Sequence, residues 1–184
     1  SHSYSKYATY KVKLAGVATA YNTSYSTPTI SFGSTSSVAG ISGGLGKMFP
    51  TLADGSQPSF YQTFYNMTNL VGQLPENLFE GIKGTPRTYM FYQTFYGCKG
   101  LTGTIPGGLF GGINGYPASY MFDQTFANCT GLTGSIPADL FIGITAGSSA
   151  TDMFYGTFSG CTGLTGVSAQ NNGQYLYNIW DPSY

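Results

Sequence analysis

Charge is what this chain has least of. Only 8% of its 184 residues are Asp, Glu, Lys or Arg, seven acidic and seven basic, and they cancel. An ordinary soluble protein carries roughly 25%. Net charge near zero supplies no field to draw in nucleic acid or an anionic membrane, and it leaves little repulsion between copies. Histidine is nearly absent too: His2 stands alone near the terminus, and a Ser-His-Asp or Cys-His device would have to recruit it, which argues against nucleophilic hydrolysis. No apolar run approaches the roughly 18 residues of a membrane-spanning helix. The glycines follow no phosphate-loop pattern, and the calcium-binding Gly-Gly-x-Gly-x-Asp repeat is missing. Paired carboxylates have few candidates; Glu76 and Glu80 read as the solvated face of a helical turn. These gaps predict a protein that is not an enzyme and that holds neither cofactor nor metal.

In place of charge stand 16 tyrosines, 27 glycines and many Ser and Thr, and they recur. Tyr120–Pro137 repeats a phrase found at Tyr89–Pro106 and again from Asp152, with a divergent first copy at Ser59–Pro75. Leu70, Leu101, Leu132 and Leu164 mark steps of 31, 31 and 32 residues, and Phe64, Phe95, Phe126 and Phe158 keep step. Such periods mark stacked supersecondary units. Cys98, Cys129 and Cys161 occupy one place in the repeat, and Met67 fills it in the first copy. Interchange with Met, an odd count and spacings that match no zinc motif predict buried structural thiols.

Within a copy, Leu101–Ile105 predicts a short strand. Pro75–Ile82 predicts one or two helical turns, with Leu78 and Ile82 at i, i+4. Phe91, Phe95 and Cys98, at i, i+4 and i+7, predict a helical stripe, and the Gly107–Gly112 stretch reads as a poor helix. The expectation is a right-handed solenoid of about four windings over residues 47–167, with parallel strands about 4.8 Å apart. Its predicted core columns are the four phenylalanines, three cysteines and four leucines above.

Both ends lie outside the repeat. Residues 1–46 carry strand candidates at Tyr7–Leu14, with Tyr10, Val12 and Leu14 on one face, and at Thr29–Phe32, before a Gly/Ser-rich loop. Residues 168–184 alternate at Gln174–Trp180, with Tyr175, Tyr177 and Ile179 on one face and Trp180 on the other. These β-rich ends read either as caps or as strands donated to a neighbouring copy. The candidate assembly interface is Tyr7, Tyr10, Val12, Leu14, Tyr175, Tyr177, Ile179 and Trp180. Three glycosylation sequons, at Asn22, Asn66 and Asn128, are no more than chance supplies in such a composition.

The units Phe126-Ala127-Asn128-Cys129-Thr130-Gly131-Leu132 and Phe158-Ser159-Gly160-Cys161-Thr162-Gly163-Leu164 resemble the core of the BspA-like leucine-rich repeats, a family of bacterial surface proteins. The phrase Leu132–Ile144 looks like a longer subtype. The resemblance spans about residues 48–167 and implies an extracellular or cell-surface location and a role in adhesion or assembly, with no catalytic residues to carry over. The expected partners are other copies joined head to tail into a filament through the termini. The alternative is a monomeric adhesin binding a host or matrix protein or glycan, with Tyr92, Tyr116 and Tyr155 as aromatic contacts.

Overall fold

The computed structural model describes residues 13–32, 38–145, 150–167, 170–171 and 174–175. Regular elements are few: α1 (Leu45–Met48), a 3-10 turn η1 (Gly107–Phe110), and strands β1 (Gly134–Ile136), β2 (Leu164–Val167), β3 (Gln170–Asn171) and β4 (Gln174–Tyr175). Order comes instead from the chain returning alongside itself once per copy. Single parallel bridges join Gly72 to Leu101, Gly103 to Leu132, Gly84 to Ile113 and Gly115 to Ile144. β1 pairs with β2 in parallel. Each leucine therefore bridges to the glycine two residues past its counterpart, a slanted register.

The expected helices are not there. Residues 89–98 form a ribbon of overlapping turns. The N–H groups of Tyr92, Thr94, Tyr96 and Cys98 bond to carbonyls three residues back. The N–H groups between them, of Phe91, Gln93, Phe95 and Gly97, bond to Met121, Asp123, Thr125 and Ala127 on the next winding. Every fourth residue, Tyr89, Gln93 and Gly97, takes a left-handed φ of 59°, 50° and 70°, as the third position of such a turn requires. The four-residue beat places Phe91 and Phe95 on one side, which mimics a helix in sequence. A true helix would spend those N–H groups internally and leave the windings unbonded. Pro75–Ile82 likewise closes turns three residues back, at Leu78, Glu80 and Ile82. The glycine-rich stretch expected to be the poorest helix is the one that forms η1.

Glycine permits the close approach. A Cβ on Gly131 or Gly163 would sit 2.4 Å and 2.3 Å from the carbonyl oxygens of Leu101 and Leu132.

The predicted core residues all lie inside. Phe64, Phe95, Phe126 and Phe158 are buried, as are Leu70, Leu101, Leu132 and Leu164. The four rings stack at 5.3, 5.4 and 5.6 Å. A second column, Phe60, Phe91, Phe122 and Phe154, runs beside it at 5.7, 5.5 and 5.6 Å. Phe79, Phe110 and Phe141 wedge against both.

The N-terminal segment departs from expectation. Thr29–Phe32 bends and forms no strand, and Leu14 is half exposed outside any strand. Instead this segment supplies an extra, degenerate winding. Ala18 and Thr29 donate to Met48 and Ser59, 30 residues on, and Phe32 stacks on Phe64 at 5.3 Å. Arg87 ties it down through 2.7 Å bonds to the carbonyls of Thr23 and Gln57, with its guanidinium 5.4 Å from the Tyr25 ring centre. α1 follows across the boundary between the stretch expected as loop, which ends at Gly46, and the first copy, and its Lys47 meets Glu80 at 2.9 Å. At the other end β3 and β4 pair antiparallel. Tyr175 lies in β4, while Tyr7, Tyr10, Val12, Tyr177, Ile179 and Trp180 fall outside the described residues.

Candidate functional site: a tyrosine and glutamine face

The ribbon's inward residues make the core, and its remaining residues make a face. Tyr61 stacks on Tyr92 at 5.0 Å, Tyr65 on Tyr96 at 5.0 Å and Tyr89 on Tyr120 at 4.8 Å, with ring planes within 13° of parallel. Tyr89 also meets Tyr61 and Tyr92 edge-on. All six rings are half-buried. Between the tyrosine rows runs a side-chain amide ladder. The Gln62 Nε2 donates to Gln93 Oε1 at 2.7 Å, and Gln93 Nε2 donates in turn to Gln124 Oε1. Gly156 takes the next place and ends the ladder. The face is built on strained backbone, since Gln62, Tyr89, Gln93, Tyr120 and Gln124 all carry positive φ, uncommon for residues with a side chain.

Asp123 interrupts the Tyr61–Tyr92 row, and Tyr155 follows it on the last winding. Its carboxyl is 7% exposed and its Oδ1 has no hydrogen-bond partner among the described residues. Burial, and then the nearby charge of Asp152, push its pKa up to about 7. Burial raises the Tyr92 phenol as well, with Asp123 adding to it.

Beneath the face, hydroxyls and thiols reach back one winding. Thr94, Thr125 and Thr157 donate to the carbonyls of Phe60, Phe91 and Phe122 at 2.8, 2.8 and 2.9 Å. The thiols of Cys98, Cys129 and Cys161 donate to Phe64, Phe95 and Phe126 at 3.0, 3.0 and 2.9 Å. Burial pushes Cys98 and Cys161 up to about 12 and Cys129 well above its usual value, so none is a nucleophile at neutral pH. All three are free.

The other candidate contacts scatter. Tyr116 and Tyr155 are 67% and 46% exposed, whereas Tyr92 is locked in its row. Glu76 and Glu80 are exposed on non-helical turns. Among the described residues no group of three His, Cys, Asp or Glu could hold a metal, and no helix is long and apolar enough to cross a membrane. The composition gave tyrosine in number, but the face itself is missed by a reading that follows Leu and Phe. Its signal was present, in Gln62, Gln93 and Gln124 at 31-residue steps and in the Tyr-x-x-x-Tyr pairs at 61/65 and 92/96.

No protein-family model matches the chain, and comparison with characterised proteins and with solved structures finds none similar to it.

Proposed function

We propose that this chain is a non-enzymatic, extracellular structural or adhesive protein of bacterial-surface type. Its class is a leucine-rich-repeat-like solenoid, and copies of it assemble end to end into a filament. One observation carries the reading. Along the ribbon every turn-to-turn backbone bond runs the same way, from an N–H on one winding to a carbonyl on the next. The ribbon therefore has a donor end and an acceptor end, although bonds elsewhere, such as Thr102 N–H to Gly72 and Thr133 N–H to Gly103, run the other way. On the last winding the equivalent N–H groups, of Phe154, Gly156, Phe158 and Gly160, donate to no described residue. A donor edge and an acceptor edge on opposite ends favour a heterologous contact that does not close, which yields a fibre. Near-zero net charge opposes it little.

The test is electron microscopy and sedimentation of the full chain at rising concentration, beside a variant lacking residues 1–14. Filaments that lengthen with concentration, and a truncated form that stays folded but loses them, support a joint made by the N-terminal segment. Full-length protein that sediments as a monomer at high concentration overturns the filament. The exposed Tyr116 and Tyr155 favour the second reading, a monomeric adhesin for a protein or glycan, which a glycan array would register.

A further inference from the structure

The six stacked tyrosines leave an unusual surface. The rings form three pairs, and one face of each ring is closed by a ring on the adjacent winding, 4.8–5.0 Å away. Ring-face stacking on a sugar, the common use of exposed tyrosine, is thus left with one face of each ring at most. What the rows offer is ring edges and hydroxyls, and none of the six hydroxyls hydrogen-bonds a described residue. The glutamine ladder between the rows repeats with the same step. No Lys, Arg or Glu stands among the ladder and row positions, and the only acids, Asp123 and Asp152, both lie toward the C-terminal end.

We propose that this face pairs side by side with the same face of a second copy, antiparallel. The occupant follows from the spacing. A partner that meets rows repeating every 4.8–5.0 Å must repeat with that step itself, and a second copy does so by construction. Identical side-chain ladders interdigitate in dry sheet-to-sheet contacts for this reason. Antiparallel pairing follows from charge. With the second windings facing each other, it seats Asp123 of each copy over the uncharged first winding of the other, around Tyr61 and Tyr65, and Asp152 one winding beyond, whereas parallel pairing would set four carboxylates together. This contact uses the flank of the molecule and does not depend on the end-to-end joint.

The experiment is sedimentation equilibrium of the full chain, of Tyr96→Lys and of Tyr116→Lys, with thermal melts to verify folding. Tyr96→Lys sets like charges across the two-fold and is expected to weaken the pair at least about tenfold. Tyr116→Lys, on a separate loop, is expected to leave it unchanged. Should Tyr96→Lys fail to fold, Tyr65→Glu, which sets a carboxylate against Asp123 of the second copy, replaces it and is expected to weaken the pair at about pH 8. A Tyr96→Cys variant is also expected to cross-link into a covalent dimer under mild oxidation, since the native thiols are buried. Wild-type protein without a compact pair, a pair indifferent to the lysine at 96 or, in its place, the glutamate at 65, or equal weakening by Tyr116→Lys would overturn the proposal. Loss of filaments with the pair retained would instead count against the end-to-end reading alone.

Discussion

Among the described residues, Asp123 is the one acid placed where a repeat protein this poor in charge least accommodates it. Its folded pKa, about 7, stands above the ordinary carboxylate value of 3.8. The unfolded chain therefore releases the proton first as pH rises, and the ionised form is the costlier to bury. The contribution of the neutral carboxyl is fully present below about pH 4 and is lost progressively as pH rises to about 7. The melting temperature is expected to fall across that window and level off above it. Asp123→Asn is expected to flatten the profile; a variant whose profile matches the wild type would remove Asp123 as the cause. The thiols show the opposite economy of chemistry. Each is a small buried hydrophobe that also satisfies a carbonyl one winding back. Met67 fills the same place in the first copy with no S–H to give.

At the scale of the element, the ring columns hold what propensity does not. Gln and Tyr adopt left-handed backbone at cost, and Gly107–Gly112 has little helical preference, so packing across windings must supply the difference. Phe126→Ala is expected to cost roughly 3–5 kcal/mol, because Phe126 stacks on both Phe95 and Phe158 and touches Phe110. An unchanged thermal midpoint would show that the column contributes nothing. Burial here was legible in sequence, because periodicity reports which side of the chain faces inward. Conformation was not. Phe91, Phe95 and Cys98 fit a helical stripe and a four-residue turn ribbon equally well, and only the bonds to Met121, Asp123, Thr125 and Ala127 decide between them. The same holds for Thr29–Phe32, whose alternation suggested a strand and whose partners 30 residues away made it a winding. Such contacts are invisible to a local pattern. The tyrosine face was recoverable in principle, since Gln62, Gln93 and Gln124 kept the period throughout.

For the whole molecule, the placing of the bonds between windings has a mechanical consequence. The windings are linked to one another by backbone bonds that run from one winding to the next, while the covalent chain circles around. Tension applied at the two ends therefore loads one boundary at a time. The molecule should peel, and not shear all its boundaries together. Each winding that gives way releases 31 or 32 residues, roughly 100–110 Å of extended chain, in exchange for a single step of the stack. A force trace is expected to show several short, similar releases of about that length. One large rupture would mean that the windings fail as a block.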